Sequence, residues 1–143
     1  MSAILSLDVG DERIGVAISD ETLTRARPLA VIRRVSGRAS YLQLLELINI
    51  HAVERIVVGW PLLPDGSEGK QVRSVQAYLN GLAVYTSLPV VCWDERLSTS
   101  EASELLRAGG GSRKRQASRL DAAAAAVILQ QYLDERNERL REP

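Results

Sequence analysis

The sequence predicts an α/β protein of one domain, built on a mixed five-stranded sheet with helices on both faces. Three strand patterns follow one another closely at the start of the chain, which favours an antiparallel meander. Two later strand patterns each follow a helical pattern, which is typical of parallel strands joined by crossovers. A length of 143 residues is usual for one compact domain, so we expect a single domain over residues 1–143.

The first half of the chain contains the meander and one helix. Alternating apolar and β-branched residues predict three strands, Ala3–Asp8, Arg13–Ser19 and Leu29–Arg34. Apolar residues then recur at helical spacing from Tyr41 to Ile48, and Ser40 is the expected N-cap of this helix. We therefore expect three antiparallel strands followed by a helix.

The second half alternates strands and helices. The expected elements are a strand at Arg55–Trp60, a helix over about Lys70–Thr86, a strand at Pro89–Asp94, a short helix at Ser98–Ala108 and a last helix from about Ala117 to at least Leu133. Three consecutive glycines at 109–111 separate the last two helices. We expect the charged tail from Asp134 to Pro143 to extend the last helix and then fray.

Composition excludes several classes of protein. The 18 basic and 18 acidic residues cancel, so the chain is not a globally basic nucleic-acid binder. No stretch approaches the length of a membrane span, and one cysteine cannot form a disulfide framework. Cys92 lies in an apolar strand pattern, so we expect it to be a small core residue. These features favour a cytoplasmic location without membrane association.

Arginines are nevertheless clustered in two stretches that lack acids. The stretch between Glu21 and Glu46 contains Arg25, Arg27, Arg33, Arg34 and Arg38, and the stretch between Glu104 and Asp121 contains Arg107, Arg113, Lys114, Arg115 and Arg119. Charge runs are more often solvated surface than binding sites. Guanidinium groups do suit phosphate, so the clusters are also candidate nucleic-acid contacts.

Three acidic residues are candidates for a metal site: Asp8, Glu95 and Asp121. Asp8 ends one predicted strand and Glu95 follows another, and ligands of such sheets usually lie beyond the carboxyl ends of the strands. Asp121 precedes the run Ala122–Ala126, whose small side chains let a helix pack close to the sheet. Mg²⁺ prefers carboxylate oxygens, so convergence of the three acids would give a divalent-metal site of the kind that cuts nucleic acid.

Each acid also has a simpler interpretation. Asp8 could be a turn residue that accepts amide hydrogen bonds near Gly10. Strand alternation puts Asp94 on one face and Glu95 on the other, and it does not choose between them. Asp121 could form a capping pair with Ser118 at a helix start.

The loop from Gly59 to Gly69 is a further candidate, with three glycines and two prolines. Glycines let backbone amides approach a phosphate, and the amides of the helix that follows favour anions. Lys70, Gln71 and Arg73 would then face the phosphate. A rigid connector explains the loop equally well.

Four ordered motifs resemble the YqgF (RuvX) family over nearly the whole chain. They are Leu7-Asp8-Val9-Gly10 with Arg13–Asp20, Val58-Gly59-Trp60-Pro61 through Gly69, Asp94–Thr99 with Glu101-Ala102, and Asp121–Ala126 with Ile128-Leu129-Gln130. The resemblance implies a ribonuclease H-like fold, in agreement with the expected order of elements, and it selects Glu95 over Asp94. Two positions depart from the family pattern: Glu12 stands where lysine is common and Ser98 where threonine is usual.

The resemblance also implies a nuclease, associated with Holliday junction resolution and with processing of the 5′ end of pre-16S rRNA. Our hypothesis is a metal-dependent endonuclease in which Asp8, Glu95 and Asp121 bind Mg²⁺ or Mn²⁺. The expected nucleic-acid contacts are Arg13, Lys70, Arg73, Arg96 and a loop formed by Arg113, Lys114 and Arg115. The expected nucleic-acid partner is pre-rRNA or branched DNA, and ribosomal particles are a further expected partner. We expect the protein to be a monomer or a homodimer.

Two other functions compete with this hypothesis. Asp8-Val9-Gly10 before a second strand is also similar to the first phosphate loop of actin-like ATPases and sugar kinases. Those proteins need a second such loop and an adenosine site on a much longer chain. The other alternative is an RNA-binding ribosome-assembly factor with little catalysis, against which the intact acids argue.

Overall fold

The computed structural model describes residues 2–94 and 113–141, with side chains in the second range from residue 121 onward. In chain order the elements are β1 (Ala3–Val9), β2 (Arg13–Ser19), β3 (Ala26–Arg33), α1 (Ala39–Ile50), β4 (Val53–Trp60), α2 (Lys70–Leu82), β5 (Val90–Asp94) and α3 (Arg113–Arg141). The helix expected at Ser98–Ala108 and the glycine triplet lie outside the described residues. Within the described ranges, no helix is long and apolar enough to cross a membrane.

The five strands form one sheet in the order β3-β2-β1-β4-β5. β1 and β2 are antiparallel, as are β2 and β3, whereas β1 is parallel to β4 and β4 is parallel to β5. The predicted mixed sheet is therefore confirmed. Because β1, β4 and β5 run in the same direction, their carboxyl ends meet at one edge of the sheet, which we call the carboxyl edge.

Helices pack on both faces of the sheet. The larger core lies between the sheet and the pair α1 and α2, and it includes Leu7 of β1. On the opposite face, Ile4 of β1 packs in a second core with Ile128 and Leu129 of α3. Successive side chains of a strand point to opposite faces. Asp8 therefore lies on the face that α3 covers.

β3 begins at Ala26, earlier than the predicted Leu29, and contains Pro28. Proline lacks a backbone N–H, which disfavours it inside a central strand. β3 is an edge strand, however, so it does not have to donate a hydrogen bond from every residue. α2 stops at Leu82 rather than Thr86, and turns follow it.

α3 begins earlier than predicted. It begins at Arg113, so the expected loop of Arg113, Lys114 and Arg115 is wrong, and these residues form its first turn. The predicted start was near Ala117, and the helix begins earlier although positive charges at an N-terminus oppose the helix dipole. The helix continues through the charged tail to Arg141, so the predicted extension of the helix is confirmed.

Two predictions about packing are wrong. Ser40 is not the N-cap of α1, because the helix begins at Ala39 and the Ser40 hydroxyl is buried, accepting a hydrogen bond of 3.0 Å from the Tyr78 hydroxyl. Cys92 is exposed rather than part of a core. It lies on the edge strand β5, where only alternate residues such as Val91 pack against α3.

Candidate active site

Asp8 lies at the carboxyl edge of the sheet, on the central strand β1 and directly opposite Gly15 of β2. The turn between these strands is closed by the backbone, where the Gly10 N–H donates to the Arg13 carbonyl at 2.8 Å. Among the described residues, no amide donates to the Asp8 carboxylate. The interpretation of Asp8 as a turn residue therefore has no support among the described residues.

Gly15 allows α3 to contact the sheet directly beside Asp8. A Cβ atom at this position would lie 1.9 Å from the carbonyl oxygen of Asp121 and 2.3 Å from its carbonyl carbon. Any side chain would collide with the helix backbone, so only glycine permits this approach. Because Gly15 faces Asp8 across the strand pair, the same contact brings Asp121 next to Asp8.

The two carboxylates affect each other electrostatically. The pKa of Asp8 rises from 3.8 to about 6, first because the carboxyl is desolvated by burial and second because the negative charge of Asp121 is close. Both causes disfavour the ionised form of Asp8. A cation placed between the carboxylates would relieve both effects.

Arg13 provides one positive charge at this site. Its Nε donates a hydrogen bond to Asp121 Oδ2 at 2.9 Å, and the side chains of Arg13 and Asp121 are 36% and 25% exposed. The sequence placed Arg13 among the nucleic-acid contacts and missed its carboxylate partner. A glycine inside a strand often marks a close backbone approach, so Gly15 was the available signal that the helix carrying Asp121 lies here.

Asp121 is not a capping residue. α3 begins at Arg113, so Asp121 lies about two turns inside the helix, where backbone N–H groups already have helical partners. The interpretation of Ser118 and Asp121 as a capping pair is therefore wrong. The helix instead directs Asp121 toward Arg13 and Asp8.

The third acid of the prediction, Glu95, lies outside the described residues, as does Arg96. β5 ends at Asp94, which is exposed. Earlier in this strand, Val91 and Trp93 pack in the core under α3. The face of β5 that carries the odd-numbered residues is therefore the face that carries Asp8.

Lys70 and Arg73 lie in the first turn of α2, and both are exposed. They follow β4, so they start from the carboxyl edge, but α2 covers the face opposite α3. The loop before them is folded on itself, since the Leu63 N–H donates to the Ser67 carbonyl at 2.9 Å. The structure thus places these cations near the same edge without bringing them into the cluster of Asp8, Asp121 and Arg13. Of Arg113, Lys114 and Arg115, only the backbone is described.

The described residues do not contain a complete metal-binding cluster of three acidic, histidine or cysteine side chains. They do contain two adjacent carboxylates, Asp8 and Asp121. Burial and the charge of Asp121 raise the pKa of Asp8 and so disfavour its ionised form. Oxygen ligands of this type fit Mg²⁺ or Mn²⁺, which commonly use one or two protein carboxylates and leave other positions to water and phosphate. The donor set therefore fits a hard divalent cation.

Comparison with known proteins shows the family to which the chain belongs. The family profile described as "RuvX: Holliday junction resolvase" matches residues 2–135. The chain belongs to the RuvX family. Membership confirms the resemblance that the four sequence motifs indicated.

Curated relatives of this RuvX chain carry the provisional name of pre-16S rRNA nuclease. One from Synechococcus sp. (strain JA-2-3B'a(2-13)) is 46% identical over 138 residues, which cover 96% of this chain and 81% of the relative. Another from Anaeromyxobacter sp. (strain Fw109-5) is 45% identical over 133 residues, which cover 93% of this chain and 97% of the relative.

Solved structures confirm the ribonuclease H-like fold of the RuvX chain. RuvC of T. thermophilus, in complex with a Holliday junction substrate, aligns with a TM-score of 0.61 at 17% identity, covering 96% of this chain and 97% of RuvC. A fowlpox virus resolvase in complex with Holliday junction DNA aligns with a TM-score of 0.54 at 11% identity, covering 93% of this chain and 97% of the resolvase. At these identities the likeness shows the fold alone.

Proposed function

We propose that this RuvX chain is a divalent-metal-dependent endonuclease that hydrolyses phosphodiester bonds of structured nucleic acid. The observation that carries the proposal is the pair of carboxylates, Asp8 and Asp121, held together at the carboxyl edge by the contact of α3 with Gly15. Membership of a family described as a resolvase supports the same reaction class.

In this proposal Asp8, Asp121 and Glu95 hold Mg²⁺ or Mn²⁺. A divalent cation in such a site supplies activation of water and stabilisation of the leaving oxygen. The contribution of the chain is to fix the carboxylates. β1 and α3 are both packed in the core, so Asp8 and Asp121 keep their separation without reorganisation.

The choice of Glu95 over Asp94 as the third acid is supported by the position of Asp94 on β5. Val91 and Trp93 pack under α3, on the face of the sheet that Asp8 shares. Asp94 alternates with these residues, so it lies on the face of the sheet opposite Asp8. This agrees with the family pattern, which also selects Glu95.

The remaining cations are proposed to bind the nucleic-acid backbone. They are Arg13, Lys70, Arg73, Arg96, Arg113, Lys114 and Arg115. The net charge of the chain is zero, so binding would depend on these local groups and would weaken as salt increases.

We propose the 5′ end of pre-16S rRNA as the substrate, with ribosomal particles as partners. The relatives that share 40–46% of their residues with this chain carry that name, whereas the resolvases are similar in fold only. A four-way junction is the competing substrate. Its resolution requires two symmetric active sites and hence a dimer.

The test is a cleavage assay with Mn²⁺ or Mg²⁺ on a pre-16S 5′ fragment and on a four-way DNA junction, beside a measurement of mass in solution. Wild-type protein should cleave the RNA fragment, and Asp8→Asn should lower the rate by about 10³-fold or more, because the carboxylates act as a unit. Asp134→Asn is the matched control, since Asp134 is exposed further along α3.

The outcomes separate the alternatives. Undiminished cleavage by Asp8→Asn would contradict the assignment of the acids. Cleavage of the junction alone by a dimer would replace the RNA substrate with branched DNA. RNA binding without metal-dependent cleavage of either substrate would favour a ribosome-assembly factor.

A further inference from the structure

Two arginines lie opposite each other at the carboxyl edge, and the acid site does not account for both. Arg13 of β2 is the cross-strand partner of Arg33, the last residue of β3. Cross-strand partners project from the same face of the sheet, so Arg33 lies on the face of α3, where Arg13 contacts Asp121. Like charges directly opposite each other destabilise a strand pair. An anion between them would remove this repulsion.

Both guanidinium groups have N–H donors without a hydrogen-bond partner among the described residues. Arg13 donates through Nε to Asp121, and its two outer nitrogens have no described hydrogen-bond partner. Arg33 is exposed, and its side chain forms no hydrogen bond or ion pair with a described residue. The pair thus presents several N–H donors in the planar arrangement that suits phosphate oxygens.

The two arginines line an open groove of about 580 Å³. A third arginine of the groove, Arg34, is already engaged, because it donates to the Gly10 carbonyl and to both oxygens of Ser74. The groove also contains Asp11 and Glu12. Asp11 accepts a hydrogen bond of 2.8 Å from the Ser74 hydroxyl, so Glu12 is the acid that most directly opposes an anion in the groove.

We propose that Arg33 and the outer nitrogens of Arg13 form a subsite for a nucleic-acid phosphate adjacent to the one that is cut. This inference rests on the proposed function. Because Nε of Arg13 is bound to Asp121, a phosphate on its outer nitrogens lies beside the two carboxylates. Arg33 then continues the path toward the outer edge of β3. The substrate backbone accordingly crosses β3 on one side of the acid site.

The test compares Arg33→Gln with Arg27→Gln. Arg27 is an exposed arginine of the same strand, but it pairs with Ile18 of the larger core and lies at the other end of β3. Binding of a labelled pre-16S 5′ fragment and of a labelled four-way junction is measured by fluorescence anisotropy in chelator, between about 50 and about 200 mM salt. Folding of both variants is checked by circular dichroism.

Arg33→Gln should weaken binding by about three- to tenfold at the lower salt and reduce the slope of log K against log[salt] by about 0.7–0.9, the contribution of one phosphate contact. Arg27→Gln should retain the wild-type affinity and slope.

An Arg33→Gln variant indistinguishable from a wild type that binds and cleaves would overturn the subsite and leave the proposed function standing. An equal loss in both variants would overturn the subsite in favour of diffuse surface charge. A wild type that neither binds nor cleaves either probe would overturn both proposals.

Discussion

The fold and the proposed reaction favour different protonation states of Asp8. Burial favours the neutral carboxyl, whereas metal binding uses the ionised carboxylate. Its pKa is raised from 3.8 to about 6 by burial and by Asp121, so the folded protein binds this proton more tightly than the unfolded chain. The resulting stabilisation is complete below pH 3.8 and is lost as the pH rises through about 6. The metal-free protein is therefore destabilised at neutral pH by its own ionised carboxylate.

Replacing Asp8 by asparagine should stabilise the metal-free protein at neutral pH. The amide keeps the size of the side chain and carries no charge, so the expected gain is up to about 2–3 kcal/mol above pH 6. The gain should shrink toward zero as the pH falls to about 4. Urea unfolding in chelator at several pH values measures it, and a variant that is less stable than wild type at neutral pH would contradict the electrostatic origin.

Gly15 is the residue that sets the distance between the two carboxylates. Gly15→Ala would put its Cβ 1.9 Å from the Asp121 carbonyl oxygen, so α3 must move away from β2. We expect a loss of about 1–3 kcal/mol in stability and a loss of cleavage, since Asp121 moves with the helix. Unfolding curves and the cleavage assay measure the two effects.

The control for this variant is Gly37→Ala. Gly37 has a φ of +90° and open space around its Cβ position, so alanine there costs about 1 kcal/mol through backbone strain alone. Cleavage by folded Gly37→Ala should remain at the wild-type level. If both variants lost activity in proportion to stability, the specific role of the Gly15 contact would be wrong.

At the scale of elements, local pattern was sufficient where an element is regular and buried. β2 has its predicted bounds, because apolar alternation continues from one end of the strand to the other. Prediction failed where a neighbour overrides the local signal. Pro28 is accommodated because β3 is at an edge, and Cys92 is exposed because β5 is at the other edge. Edge position is a property of the sheet and cannot be read from the strand itself.

Arg34 is a side chain that connects three elements. It joins the end of β3 to the turn between β1 and β2 and to helix α2. It donates to the Gly10 carbonyl and to Ser74, and its guanidinium lies 5.2 Å from the centre of the Tyr78 ring. Arg34→Gln should lower the free energy of unfolding by about 2 kcal/mol, because charged hydrogen bonds to partly buried carbonyls are lost. Urea denaturation measures this change.

Arg38→Gln is the comparison for that experiment. Arg38 is exposed at the start of α1 and forms no side-chain cap, so its replacement should change stability by less than about 0.5 kcal/mol. Equal effects of the two substitutions would show that Arg34 contributes charge to the surface rather than a specific connection between elements.

At the scale of the whole molecule, the sequence predicted which acids are candidates but not how they meet. The pairing of Asp8 with Gly15 is local to one hairpin, and its pattern is visible in the sequence. The contact of Gly15 with Asp121 joins the second strand to the last helix, so it depends on the packing of the complete sheet. The bond from Arg13 to Asp121 has the same origin, which is why sequence assigned Arg13 to nucleic acid alone.

The balance of 18 basic and 18 acidic residues makes the position of each charge more important than the total. Glu12 lies in the groove of Arg13 and Arg33, whereas Glu138 is exposed near the end of α3. Glu12→Lys and Glu138→Lys change the net charge equally, so an effect of total charge would be the same in both.

We expect Glu12→Lys to tighten binding of a pre-16S 5′ fragment by about tenfold and to steepen its salt dependence, because it replaces a repulsive group with a phosphate contact. Glu138→Lys should change binding little at physiological salt, where the screening length is about 8 Å. Anisotropy titrations measure both, and equal tightening by the two variants would show that binding follows net charge and not the groove.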